Sequence, residues 1–305
     1  MKSITQTLLE LVSDWKEGFS GAYNIREDGG CAGRQSTKNI EIASKQDLPG
    51  LDIRIRPGTR GETVYIPACV THGDVDDLVY NDFFVGRGAD VTIVAGCGVH
   101  TDDEESARHN GIHRFFLEEG ARVLYQEKHV GTGKGKGIRS IDPVTEITLA
   151  EDAVLEMDTS QIGGVDRTYR STSAVLKAGA KLIIHERLLT EKDQTAKTEF
   201  EVSLDGEGSG VNLISRSVAR DRSHQEYRSR IIGNTRCTGH SECDAIIVGE
   251  GTVSAAPELT ANHDDASLIH EAAIGKIAGE QLLKLRTLGL TEEEAEAKIV
   301  AGFLK

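Results

Sequence analysis

The sequence predicts a mainly β protein coiled as a solenoid, and three observations carry that expectation. From about residue 40, apolar and polar residues alternate in short runs such as Leu51-Asp52-Ile53-Arg54-Ile55 and Glu62-Thr63-Val64-Tyr65-Ile66, broken by Gly or Pro. A period of two marks strands with one buried face. A small residue, preceded by an acidic or glycine turn and followed by renewed alternation, recurs at Ala89, Ala121, Ala153, Ala180 and Ser209, at spacings of 32, 32, 27 and 29. Each of these follows another strand-like run, for example Ile112 to Leu117 or Phe200 to Leu204. A near-constant period in this range belongs to stacked units, each with its small residue at a corner too tight for a large side chain. A long antiparallel meander uses the same turns, so the period alone leaves both arrangements open.

Before this region, residues 4 to 19 place Ile4, Leu8, Leu11, Val12, Trp15 and Phe19 at helical spacing, a short amphipathic helix that packs on the body. Glu10, Asp14 and Glu17 set it against an anionic membrane. After Pro257 the pattern reads as helical. Leu282, Leu283 and Leu285 precede Gly289, and Thr291 with Glu294 has the spacing of a capping box. Ala295, Ile299, Val300 and Phe303 follow on one face. The expected organisation is therefore an N-terminal helix and lead-in over 1–39, a solenoid core over 40–257, and a site segment with a helical hairpin over 258–305. The hairpin has little apolar surface of its own, and Leu282, Leu285, Ile299 and Phe303 are expected to be exposed as a docking patch.

Composition removes several function classes. The 305 residues carry 49 acidic against 35 basic side chains, a net charge of −14, which opposes binding to nucleic acid or to an anionic membrane. No apolar run approaches transmembrane length and no signal peptide opens the chain, so a cytoplasmic protein is expected. Five scattered cysteines, Cys31, Cys69, Cys97, Cys237 and Cys243, do not suggest a disulfide framework. Their thiols are available for chemistry.

Two segments invite a chemical reading. Gly131-Thr132-Gly133-Lys134-Gly135-Lys136-Gly137 is glycine-rich, but Lys136 is followed by Gly137 and strand-like Ile138 rather than by Ser or Thr and a helix. A phosphate loop is excluded, and no nucleotide is expected on this chain. The densest group of candidate metal ligands is Cys237-Thr238-Gly239-His240-Ser241-Glu242-Cys243, with His263, His270 and Glu271 behind it. Thiolate suits iron in sulfur clusters, and His or carboxylate completes a weaker shell. The spacing is not that of a zinc ribbon, and packing roles remain open. His72, His100, His113, His129 and His185 read as ordinary surface or core histidines.

The run Ser241-Glu242-Cys243-Asp244-Ala245-Ile246-Ile247-Val248-Gly249, then Pro257-Glu258, then His270-Glu271-Ala272-Ala273-Ile274-Gly275-Lys276-Ile277, resembles the C-terminal part of SufB proteins. Ser215-Arg216-Ser217-Val218-Ala219, Tyr227-Arg228 and Glu118-Glu119-Gly120-Ala121-Arg122-Val123 extend the likeness, as do Gln281-Leu282, Gly289-Leu290, Glu294-Ala295 and the stretch from Ile299 to Phe303. The chain thus resembles the SufB/SufD family of the SUF iron-sulfur cluster assembly system over roughly residues 60 to 305. The resemblance implies a right-handed parallel β-helix and a scaffold holding a transient iron-sulfur cluster. Implied partners are a SufC-type ABC ATPase bound through the C-terminal helices, a cysteine desulfurase or other sulfur donor, and apo iron-sulfur proteins as recipients. It places Cys243 and Glu271 at the cluster-assembly positions, and His270 where SufD carries its site histidine. Cys97, in Gly96-Cys97-Gly98-Val99-His100, resembles the sulfur-accepting cysteine, a role that a partly exposed thiolate would fill, although the family's Gly-Cys-x-Ala-Pro is altered here; the competing reading is a buried core cysteine. Cys31, Cys69 and Cys237 have no counterpart and are assigned structural or accessory roles.

Ile269 stands where longer SufB proteins are acidic, and the short lead-in resembles a minimal member able to serve in place of both SufB and SufD. A homodimer, or a pair with a paralogue, is then expected, with Cys243 and Glu271 of one subunit facing His270 of the other. Two other readings compete. One is a silent SufD-like subunit, and the other a carbohydrate-active β-helix enzyme, which 5% aromatic content suits poorly.

Overall fold

The computed structural model describes residues 2–13, 15 and 18–305. Helix α1 spans Ser3–Ser13; of the sequence helix expected over 4–19, Trp15 and Phe19 lie beyond it, and Asp14 and Glu17 fall outside the described residues. Among the described residues two ten-stranded sheets follow, and from Gly50–Ile55 onward successive strands alternate between them, except that Arg139–Ile141 and Val144–Leu149 share one sheet. Within each sheet the coil-to-coil ladders are parallel, from Ala22–Glu27 beside Arg60–Val70 to Cys237–Ile247 beside Ala266–Lys276. Antiparallel pairing is confined to the lead-in, where Ala22–Glu27 meets Gly30–Gln35 and Ile40–Ser44 meets Gly50–Ile55. A meander would have antiparallel neighbours throughout, so the fold is a parallel β-solenoid.

The small residues of the repeat are the corners. Ala89, Ala121, Ala153, Ala180 and Ser209 have no exposed surface. The residue before each lies in the left-handed region: Gly88, Gly120, Asp152, Gly179 and Gly208, with φ between 55° and 73°. Glycine adopts this conformation without cost and Asp tolerates it. The corners also stack by backbone hydrogen bonds, Gly88 N–H donating to Glu119 O, Gly120 to Glu151 O and Gly179 to Glu207 O. The next coil puts Cys237 at the corner, because Gly210 pairs with Thr238; it is buried there, a packing role.

Strand structure extends past the expected core of 40–257 in both directions, from Ala22 to Lys276. The stretch after Pro257 is not helical at first: Thr252–Ala261 and Ala266–Lys276 form the last half-coils. Their inner residues face an open end, so burial there is partial and the alternation is blurred.

Helix α1 lies on the outer face of the Asp90–His100 strand, with Leu8, Leu9 and Val12 buried. Gly96 and Gly98 let it approach. A methyl group at Gly98 would sit 2.9 Å from Leu8 Cδ2, and one at Gly96 would overlap the Val12 carbonyl. Inside, Phe83 and Phe115 stack at 4.6 Å with Tyr125 edge-on to Phe115 at 5.1 Å, an arrangement that adds about 1 kcal/mol per pair beyond area burial.

Two helices close the described chain, α2 at Gly279–Thr287 and α3 at Glu292–Phe303. The capping box is present: Glu294 N–H donates to Thr291 Oγ1 at 3.2 Å, and Thr291 N–H to Glu294 Oε2 at 2.8 Å. Helix α3 is tied to the solenoid by an Arg220–Glu296 ion pair, with Ala295 and Val300 buried.

Candidate functional site at the open end of the solenoid

Cys243 lies in the Cys237–Ile247 strand, next to last in its sheet, and Ala266–Lys276 is the last. Register decides which side chains share a face, because neighbouring parallel strands keep paired residues on the same side. Ser241 pairs with His270, Glu242 with Glu271, and Cys243 with Ala272. The odd-numbered residues of the first strand from Cys237 to Ala245 are buried, so Cys243 and His270 face the interior. Glu271 and Glu242 face outward with His240, whose Nε2 lies 3.6 Å from Glu271 Oε2. The structure therefore brings Cys243 and His270 to one face of adjacent strands and puts Glu271 on the other.

The Cys243 thiol is fully buried, and burial, reinforced by Glu186 and Asp244, pushes its pKa up to about 12. It rests as a neutral thiol. Close by, Ser241 is shared by the Tyr227 hydroxyl at 3.0 Å and the Ser229 hydroxyl at 2.9 Å. His270 Nδ1 is buried without a hydrogen-bond partner among the described residues, an arrangement that a ligand to that nitrogen would relieve.

Cys97 is also on the inner face, but it is buried rather than partly exposed. Burial raises its pKa well above that of a free thiol, and Glu127 adds to the effect. Its neighbours are Ala68 and His129 on the flanking strands, and a cavity of only about 20 Å³ reaches it. The alternation of its strand, interrupted outside by Gly96 and Gly98 under α1, turns Cys97 inward. Five strand spacings separate its strand from that of Cys243, about 24 Å at ~4.8 Å each.

A buried polar line occupies that interval, and nothing in the sequence reading identified it. Arg170 binds Glu127 at 2.7 Å and lies 3.5 Å from Glu186. Glu127 also accepts from the Tyr125 hydroxyl at 2.8 Å, and Tyr125 meets His113 at 2.8 Å. Glu186 accepts from Thr198 at 3.0 Å and from Ser215 at 2.8 Å. Ser215 is the ladder neighbour of Cys243. Burial would raise the Glu127 pKa, but His129 and Arg170 hold it well below the carboxylate range; burial also brings His113 down to about 4. The signal was present at inward positions: Val123, Tyr125, Glu127 and His129 alternate like core residues but are not all apolar.

The glycine-rich segment has a structural explanation. Gly133, Gly135 and Gly137 stack on the turn below, with Gly135 N–H donating to Thr101 O and Gly137 N–H to Asp103 O, and side chains there would strike backbone. At the C-terminus, Leu282, Leu285, Ile299 and Phe303 are half-buried rather than exposed, because α2 and α3 pack on each other. The open apolar side chains of the hairpin are Leu283 and Leu288, 61% and 74% exposed. Cys31 is the exposed thiol, and no described helix is long and apolar enough to cross a membrane.

Comparison with known proteins adds the lineage. Residues 81–303 match the family model described as SUF system FeS cluster assembly, SufBD core domain. An iron-sulfur cluster assembly SufBD family protein of Methanothermobacter thermautotrophicus is 31% identical over 265 residues, 85% of this chain and 63% of the relative. A counterpart from Archaeoglobus fulgidus is 28% identical, covering 87% of this chain and 70% of the relative. One from Pyrococcus horikoshii is 40% identical over 166 residues, 53% of this chain and 37% of the relative. The chain thus spans a little under two thirds of the length of the methanogen relative. With a family model covering most of a parallel β-solenoid that carries a cysteine and a histidine at its open end, this chain belongs to the SufBD family of iron-sulfur cluster assembly proteins.

Proposed function

We propose that the chain is a scaffold on which an iron-sulfur cluster is built as cargo, with Cys243 supplying a thiolate, His270 an imidazole and Glu271 a carboxylate. The observation that carries this reading is the placement of a buried thiol and an unpartnered imidazole nitrogen on the same inner face of the last two strands of one sheet. The Ala266–Lys276 strand ends its sheet, leaving one edge without a ladder partner among the described residues, with Ile269 and Ile274 exposed on it. A second subunit, this chain or a paralogue, fits that edge, and donors from the two faces can then meet around it.

Cys243 is buried away from solvent, so its sulfur is out of reach of incoming iron while that end is closed. An opening step is required, and ATP hydrolysis by a SufC-type ATPase docked on the C-terminal helices would supply it by moving the two scaffold ends against each other. This chain hydrolyses nothing in that scheme. Cys97 remains the candidate sulfur acceptor: its thiolate attacks the terminal sulfur of a donor persulfide, a new S–S bond forms, and the donor thiolate leaves. Burial means that step also waits on opening, and the distance to Cys243 forbids direct hand-over. Mass spectrometry after incubation with a cysteine desulfurase checks the assignment; label at Cys31 or Cys243 without label at Cys97 refutes it.

Anaerobic reconstitution with iron and sulfide tests the scaffold. Visible charge-transfer absorption is expected in the wild type and lost in Cys243→Ala, which stays folded by circular dichroism. Wild-type yield in that variant removes Cys243 as a ligand, and no absorption in the wild type favours a silent structural subunit.

A further inference from the structure

Several exposed carboxylates along the solenoid sit beside a basic neighbour. Glu258 and Glu201 share Arg230 at 3.0 and 3.4 Å, Glu207 meets Arg236 at 2.6 Å, and Glu199 meets Lys197 at 2.8 Å. At the last two strands of the other sheet this pattern stops. Glu242 and Glu271 are direct ladder partners on the same face, an arrangement of like charges that is destabilising on its own. Among the described residues no Lys or Arg forms an ion pair with either. The group within reach is His240: one ligand atom from each of His240, Glu242 and Glu271 lies within 4.8 Å of the others.

His240 is held as a metal ligand would be. Its Nδ1 lies 2.8 Å from Asn212 Oδ1, which can only accept, so the proton sits on Nδ1. The other ring nitrogen, Nε2, lies 3.6 Å from Glu271 Oε2, beyond direct hydrogen-bond distance. An outer partner that fixes tautomer and ring orientation is the usual companion of a ligating histidine. The ladder places this Asn one strand inward on the same face.

We propose that His240, Glu242 and Glu271 form a binding site for a divalent first-row metal ion on the outer face of the open end, with water completing the shell. One imidazole and two carboxylates suit iron(II), manganese(II), cobalt(II) or zinc(II) and not a soft, thiolate-seeking ion. The net charge of −14 draws cations toward the chain. Assigning iron(II) to the site rests on the scaffold reading above: Glu242 immediately precedes Cys243, so an ion held outside waits one residue from the thiol, and opening of the end brings the two together.

Anaerobic equilibrium dialysis of the full chain with cobalt(II) alone, read with its absorption spectrum, tests the site. One bound ion per chain is expected, without sulfur-to-metal charge transfer, and Cys243→Ser keeps it. His240→Ala and Glu242→Gln, on half-exposed outer positions, weaken binding at least tenfold while circular dichroism is unchanged, and Asn212→Ala weakens it within the ~10- to 100-fold range of an outer partner. Wild-type affinity in folded His240→Ala or Glu242→Gln overturns the site, as does charge-transfer absorption that disappears with Cys243→Ser. Cluster reconstitution in Cys243→Ala is read separately: an unaffected yield there ends the scaffold reading, whereas cobalt binding judges the outer site alone.

Discussion

Cys243 and Glu271 lie on adjacent strands but on opposite faces of one sheet, because Cys243 is in register with Ala272 and Glu271 with Glu242. A single rigid chain therefore does not present both to one ion. Glu271→Ala should reduce cluster yield only in part, since a carboxylate is a weaker, harder ligand for iron than thiolate, whereas Cys243→Ala abolishes it. Equal losses in side-by-side reconstitution would mean that the sheet end rearranges until the two groups are equivalent ligands.

The buried thiol makes a second prediction about pH. Alkylation at pH 8 should label exposed Cys31 first, with Cys243 about 10³-fold slower than an ordinary thiol, the ratio for a pKa moved from 9.0 to about 12. Since the folded state holds its proton longer than the unfolded state, Cys243 leaves stability unchanged below pH 9 and erodes it as pH rises from 9 toward 12. Peptide mapping after timed alkylation checks the order, and rapid labelling of Cys243 in the isolated chain would show that its end is already open.

The interior charges are a third point of attack. Arg170→Ala leaves Glu127 and Glu186 buried without their cation, which should cost about 3–5 kcal/mol in urea unfolding. Glu127, held well below the carboxylate range, contributes stability that is present above its ordinary value of 4.5 and lost as pH falls through its folded value. The Arg170→Ala variant should lack much of that acid-side slope. A loss below 1 kcal/mol would show that water replaces the guanidinium at little cost.

Much of the architecture was legible because solenoid geometry repeats: the positions of Ala89, Ala121, Ala153, Ala180 and Ser209 in the sequence are the corners in space. The last strands were misread, since Thr252–Ala261 and Ala266–Lys276 cover an open end and lose the clean alternation that burial on one face imposes. The candidate ligands were visible as residue types, but the face each occupies depends on register, and a one-residue shift reverses it. The polar line through Arg170 and Glu186 was hidden for a different reason: charged residues at strand spacing read as solvent-facing until their partners on neighbouring coils are known.

Helix α1 depends on two glycines. Gly98→Ala puts a methyl group against Leu8, and should loosen the helix enough to uncover Cys69, which pairs with Gly98 and is buried beside Leu8 and Leu9. Faster alkylation of Cys69, with the solenoid intact by circular dichroism, is the expected result. Unchanged protection of Cys69 would mean that α1 shifts without leaving the sheet.

The C-terminal hairpin carries the last prediction. Leu282, Leu285, Ile299 and Phe303 are half-buried, so replacing them tests the hairpin's own packing as much as any partner. Leu283 and Leu288 are open to solvent, and their replacement by Glu should leave stability within about 0.5 kcal/mol of wild type. If these helices dock a SufC-type ATPase, the Leu283→Glu, Leu288→Glu double variant should lose the ATPase in a pull-down while retaining its thermal midpoint. Removing residues 278–305 should also abolish binding, but it strips Glu296 from Arg220 and uncovers the surface under Ala295 and Val300, so loss of binding there has two causes. The double variant has one. Normal ATPase capture by it would move the dock off the exposed face of the hairpin.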